Sequence, residues 1–228
     1  MTLFSRLLAT AALGAALAAT GAQAATLTGT LTADNEYNAY LSTNDAVLGD
    51  LVATGANWTV AQSFNANLAP GQTYYLHVVA NNWYGISNMN GGNPDAFLGS
   101  FSLSGAGFTF ANGLQTLNTD TTNWRVIPHA YQPLNAVNDW TVPNQTPDQW
   151  STNAGPNIWT VNSGGPIAGI APEAGWIWSH EDPGGEAMFS TTISALSVPE
   201  PATWGLMIVG FGGVGAVLRR RRHVAAFA

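Results

Sequence analysis

Residues 68–82, LAPGQTYYLHVVANN, decide how this chain folds. Ala69-Pro70-Gly71-Gln72 reads as a turn, because proline presets φ at the first corner and glycine accepts a positive φ. Thr73-Tyr74-Tyr75-Leu76-His77-Val78-Val79-Ala80 is a short run rich in β-branched and aromatic residues, the composition of a strand. The pattern recurs at Ala96–Leu103, Gly107–Phe110, Trp124–Ile127 and Gly175–Ser179, with a second turn at Ala111-Asn112-Gly113-Leu114. No long helical periodicity interrupts it. Several such strands in about 170 residues predict an all-β fold, a single β-sandwich or jelly-roll domain over residues 25–197. The Pro-, Asn- and Gly-rich segment from His129 to Gly169 is expected to form long loops on one edge of the sandwich.

The 228 residues suffice for one such domain plus processing segments. There is no lysine, and the six arginines are Arg6, Arg125 and the run Arg219–Arg222. Between Ala25 and Val198 stand twelve acidic residues and one arginine, a formal −11. Such a body repels phosphate backbones, which bind through Lys and Arg, so nucleic acid is excluded as a partner. The absence of cysteine removes disulfides, thiolate chemistry and Cys-based metal sites. Nine Trp, nine Phe and six Tyr supply large buried areas in their place.

Both ends read as addresses. Residues 1–24, MTLFSRLLATAALGAALAATGAQA, carry a positive Arg6, an apolar Leu7–Ala19 stretch and an A-x-A site at Ala22-Gln23-Ala24. This is the anatomy of a secretory signal peptide, with signal peptidase expected to leave Ala25 as the first mature residue. At the other end, Ala202–Leu218 is 17 uncharged residues, about 25 Å as a helix, and is expected to cross a membrane. The arginines behind it would hold that end in the cytoplasm. Gly210, Gly212 and Gly215 spell GxGxxG, but a dinucleotide turn needs an acidic residue about twenty positions on. Only 13 residues follow Gly215 and none is acidic, so the cofactor reading fails.

Val198-Pro199-Glu200-Pro201-Ala202-Thr203-Trp204, the glycine-bearing apolar helix with Met207-Ile208 and Gly210-Phe211-Gly212, and Arg219, Arg220, Arg221 and Arg222 occur in that order. The tail over 198–222 resembles a PEP-CTERM sorting signal, departing from it at Gly205, where Ala is common. The resemblance implies a Gram-negative bacterium that makes exopolysaccharide, and recognition by an exosortase that cuts near Pro199-Glu200-Pro201. After an inner-membrane intermediate, the protein would reach the outer surface or extracellular matrix. Proline disfavours helix in the residue before it, which keeps the motif extended and accessible. A simple C-terminal anchor with a proline-rich neck is the alternative.

In the body, Ala33-Asp34-Asn35-Glu36-Tyr37-Asn38-Ala39-Tyr40-Leu41 is followed by Leu68–Asn82, Asp95-Ala96-Phe97-Leu98-Gly99, Thr119-Asp120-Thr121-Thr122-Asn123-Trp124 and Trp176-Ile177-Trp178. This order is similar to galactose-binding-like jelly-roll domains, including accessory domains of glycoside hydrolases. One departure is Ser42-Thr43-Asn44-Asp45, where an Asn-Gly turn is common. Structural calcium occurs in such folds, and the carboxylates Asp34 with Glu36, and Glu181, Asp182 and Glu186, are the candidate ligands. The plain alternative is a solvated acidic surface. No other cofactor is required.

Neither HExxH nor GxSxG occurs, so zinc-protease and esterase-type chemistry have no support and no catalytic residue is assigned. His77 is expected to be packed within its strand. Trp83, Tyr84, Trp140, Trp150 and Trp159 fall in loop regions and are the candidates for stacking on sugar rings. Trp58, Trp124, Trp176 and Trp178 lie in or beside strands and are expected in the core. The chain therefore reads as an exported, non-enzymatic surface or matrix protein, structural or weakly binding exopolysaccharide. A lectin-like module with a defined ligand is the alternative, and a hydrolase of surface polymers is a third.

Overall fold

The computed structural model describes residues 24–83, 94–105, 107–130, 132–136, 139–180, 185–196 and 201–224; side chains are not described at 136, 201–204, 216–218 and 220–224. Ala24–Leu196 is one compact unit, and the C-terminal helix belongs to another.

Among its described residues the first unit holds twelve strands: β1 (Ala25–Asp34), β2 (Glu36–Ser42), β3 (Asp50–Gly55), β4 (Gln62–Leu68), β5 (Tyr74–Asn81), β6 (Ala96–Ser104), β7 (Phe108–Phe110), β8 (Thr116–Asn118), β9 (Arg125–Ala130), β10 (Asp148–Thr152), β11 (Gly175–Trp178) and β12 (Gly185–Ala195). They form two antiparallel sheets. In the first the order is β10-β11-β6-β1-β4, with β8 also beside β6; in the second it is β3-β2-β5-β12-β7, with β9 also beside β12. The shared edges are used end to end: β12 pairs with β9 over Gly185–Ser190 and with β7 over Ile193–Ala195. The all-β sandwich expected from the strand pattern is the observed architecture.

Period-two alternation explains the main core. Leu27 and Leu31 of β1, Tyr37 and Ala39 of β2, Leu76 and Val78 of β5, Phe97 and Phe101 of β6, and Phe189 and Ile193 of β12 all point between the sheets. Trp124 closes this core with its ring edge-on to Phe97 at 5.2 Å. Gly29 falls on the same inward face of β1. A Cβ there would sit 2.8 Å from Phe101 and closer still to Phe64, so the missing side chain is the space these two rings occupy. The two expected turns form as read, with Gly71 at φ 75° and Gly113 at φ 76°.

The expectation for His129–Gly169 needs correction. His129 lies in β9, and the segment contains β10, a 3-10 turn at Leu134–Ala136 and a short helix, α1 (Ile158–Ser163). Asn157 caps α1 by accepting from Thr160 N, while Thr160 reaches back to Asn157 N. Nor does the segment lie on one edge, because parts of it cover the outer faces of both sheets. Over the first sheet, Trp159, Ile167, Ile170 and Ala174 build a second core on Ala96, Leu98 and Trp176. Over the second, a strap described at residues 132–136 and 139–145 is tied down by Asn38 Nδ2 to Leu134 O (3.3 Å), Asn81 Nδ2 to Gln132 O (2.7 Å) and backbone bonds between Val126 and Gln145. Loop composition did not show that these residues shield strands that are apolar on both faces.

The C-terminal helix α2 spans Pro201–Val224. Its described side chains, residues 205–215 and Arg219, are all exposed, including Leu206, Met207, Ile208, Val209, Phe211 and Val214. Among the described residues no helix is long and apolar enough to cross a membrane. The described run 205–215 would cover about 16 Å, roughly half a bilayer's hydrocarbon core.

Candidate functional site

A groove of about 630 Å³ opens on the second sheet, between β2 and β3 on one side and the strap on the other. The alternation that buries Tyr37 and Ala39 turns Glu36, Asn38 and Tyr40 outward in a row, and these form the floor. Leu51, Thr54 and Gly55 of β3 form one wall, and Pro133, Leu134 and Asn135 the other. Trp83 stands at the end of the groove, just beyond β5. Its backbone N–H donates to Asn35 Oδ1 at 2.8 Å, and the side chain remains 47% exposed. Asn38 Nδ2 donates to Tyr40 Oη at 3.1 Å, and Asn81 Nδ2 donates to Glu36 Oε1 at 3.3 Å. Asn81 is itself fully buried, so it fixes the carboxylate from behind.

Beside the groove, along the same cross-strand row, lies an ionisable cluster. Glu186, at the start of β12, is fully buried; its Oε2 accepts from Gln132 N at 3.1 Å, and its Oε1 lies 3.0 Å from His129 Nδ1. That Nδ1 directs its hydrogen bond to the Ala130 carbonyl at 2.7 Å, so its attraction to Glu186 is one of charge proximity. Asp139 lies 3.0 Å from His129 Nε2 and accepts from Gln132 Nε2 at 2.8 Å. Burial pushes the Glu186 carboxyl up to about 7, against the lowering effects of the Gln132 N–H and His129. Asp139 is held below the usual carboxylate range, chiefly by the Gln132 hydrogen bond.

The candidate aromatics part company. Trp83 is on the groove. Trp140 is half-buried, stacks on His77 at 4.1 Å and gives its N–H to Asp45 O at 2.7 Å. Its role is to pin the strap. His77 packs as expected, fully buried, with Nδ1 3.0 Å from Leu48 O and Nε2 2.9 Å from Asp45 Oδ1. The loop position read for Trp150 is corrected: it lies in β10, partly buried, and meets Trp159 edge-on at 5.5 Å. The loop position read for Trp159 is corrected too: it lies in α1, 1% exposed, stacked on Trp176 at 4.5 Å with no face free for a sugar. Its indole N–H donates to Asp34 Oδ2 at 2.9 Å. Tyr84 lies outside the described residues. Of the core candidates, Trp124, Trp176 and Trp178 are buried, and Trp58 packs partly buried against the second core.

The described candidate carboxylates occupy separate places. Asp34 ends β1, with one oxygen accepting from Trp159 and the other from Asn35 Nδ2 at 2.7 Å; burial raises its pKa to about 6. Glu36 faces the groove, while Glu186 sits among His129 and Gln132. Glu181 and Asp182 lie outside the described residues. Among the described residues no three His, Asp or Glu side chains are grouped so as to hold a metal ion.

The sorting residues fall on the second unit. Pro199 and Glu200 lie outside the described residues, as does Ala22; Pro201 and Trp204 are in α2, as are Arg219, Arg220, Arg221 and Arg222. Ala24 is exposed, and Ala25 is buried as the first residue of β1. The chain matches the family described as PEP-CTERM protein-sorting motif over residues 197–222. Residues 197–222 are a PEP-CTERM sorting motif. The motif implies an exported protein, processed by an exosortase and bound for the cell envelope or surface. No curated protein and no solved structure matches the chain.

Proposed function

We propose that this protein is a non-enzymatic component of the cell surface or exopolysaccharide matrix, whose sandwich binds polysaccharide weakly in the groove beside Trp83. The observation that carries the reading is a large, half-exposed indole lining the same groove as a row of amide, hydroxyl and carboxylate groups. Sugar rings bind proteins in this way, with apolar faces on aromatic rings and hydroxyls on planar polar groups. A repeated chain crossing between the two sheets supports the galactose-binding-like jelly-roll reading of the body. The exposed apolar residues of α2, ahead of Arg219–Arg222, support a transient inner-membrane span over 202–218 before exosortase cleavage in a Gram-negative cell.

Two measurements test the parts separately. In an exosortase-bearing host, a protein tagged upstream of Pro199 should move to the surface fraction, and truncation after Val198 should abolish that movement. Unchanged fractionation and unchanged mature mass would refute the sorting route. On a glycan array, the processed protein should bind oligosaccharides and its Trp83→Ala variant should not. Equal signals would refute the groove.

A further inference from the structure

We infer that the groove is selective for polysaccharides bearing free amino groups, 2-amino-2-deoxy sugars whose nitrogen is not acylated, over neutral or anionic polymers. This rests on the polysaccharide-binding reading and specifies its ligand class.

Among the described residues, Glu36 is the one charged side chain that lines the groove. It projects from the strand floor beside Asn38 and Tyr40, and its Oε1 is held by the buried Asn81, whose second Nδ2 bond anchors it to Gln132 O. The carboxylate is thus positioned in advance, and a sugar ammonium meeting it adds a charge-assisted hydrogen bond at small ordering cost. Trp83, at the end of the same groove, favours a cation near its face as well as a sugar ring. Little permanent positive charge opposes this: the sequence from Ala25 to Val198 has no lysine and a single arginine, its other basic side chains being His77, His129 and His180. That arginine, Arg125, is on β9, which pairs with β12 on the side away from β5 and β2. The field of a body at formal −11 therefore draws in polycations and repels uronate, sulfate or phosphate polymers, while the groove supplies the specific contact.

The test titrates the processed protein with three oligosaccharide probes of equal length at mildly acidic pH: β-linked N-acetylglucosamine, its fully de-N-acetylated counterpart, and oligogalacturonate. The amino form should bind about tenfold more tightly than the acetylated form, and the uronate should not bind. That preference should shrink as salt rises from about 50 to 500 mM. Glu36→Gln should remove it, Trp83→Ala should weaken both neutral and amino ligands, and Asp148→Asn, on the other sheet, should change nothing. Equal binding of acetylated and amino forms would overturn the selectivity and leave the polysaccharide reading standing. So would a preference that Glu36→Gln leaves intact, since it would then belong to diffuse surface charge. If no probe binds, both fail.

Discussion

Replacing Trp159 by phenylalanine should destabilise the protein more at pH 8 than at pH 5, by about 1 kcal/mol. The indole stacks on Trp176, meets Trp150 edge-on and donates to Asp34 Oδ2 at 2.9 Å. Phenylalanine keeps most of the packing but leaves a gap, costing about 1–2 kcal/mol at either pH. The hydrogen bond behaves differently, because Asp34 has a pKa of about 6. At pH 8 the bond is to a buried charge and contributes about 2 kcal/mol; at pH 5 it is to a mostly neutral carboxyl and contributes about 1. The wild-type folded state keeps the Asp34 proton to higher pH than the unfolded chain does. Its stability therefore falls as pH rises from the ordinary aspartate value of 3.8 through about 6. Loss of the indole donor raises the folded pKa by roughly a further unit and carries the decline to higher pH. Urea unfolding followed by circular dichroism at the two pH values gives both losses, expected at about 3–4 kcal/mol at pH 8 and about 2–3 at pH 5. Equal losses would show that the indole–carboxylate bond does not govern Asp34.

Glu186 should shape stability at higher pH. Its carboxyl is raised from 4.5 to about 7, so stability should fall as pH rises through that interval, by at most about 3 kcal/mol. Glu186→Gln keeps an acceptor for Gln132 N and should flatten the wild-type decline between those values, read from urea midpoints; an unchanged slope would mean the charge is not held there. Asn153 is fully buried, donates to the carbonyls of Ile167 and Ile170, and accepts from Ile167 N. Asn153→Ala should cost about 2–4 kcal/mol by leaving three backbone groups unpaired, measurable as a lowered Tm.

Much of the sandwich can be read from the amino-acid sequence because its inner faces alternate. Strands such as β5 and β6 carry apolar residues at a period of two, and the turns at Gly71 and Gly113 mark where they end. The covered outer faces are less legible. Val79 and Met188 are buried on the outer face of the second sheet, and Leu98 and Trp176 on that of the first, but nothing local says which distant segment shields them. Loop composition therefore placed Trp159 at the surface when it is the centre of a second core. His129 and Glu186 are 57 positions apart and meet only through the pairing of β9 with β12, so no spacing rule could find them. The groove was half legible. Trp83 stood out as an aromatic without a strand role, whereas Glu36, Asn38 and Tyr40 became its floor only once β2 was set against β3 and the strap. The sorting tail needed no fold, because its signal is a linear order of short motif, apolar helix and arginines.

The central proposal is a polysaccharide-binding groove at Trp83. Affinity electrophoresis of the processed protein through gels containing the exopolysaccharide of its own cells tests this most directly. The wild type should be retarded, and Trp83→Ala, with its Tm unchanged, should run as in polymer-free gels. Equal mobility of the two proteins in the polymer gel would contradict the account.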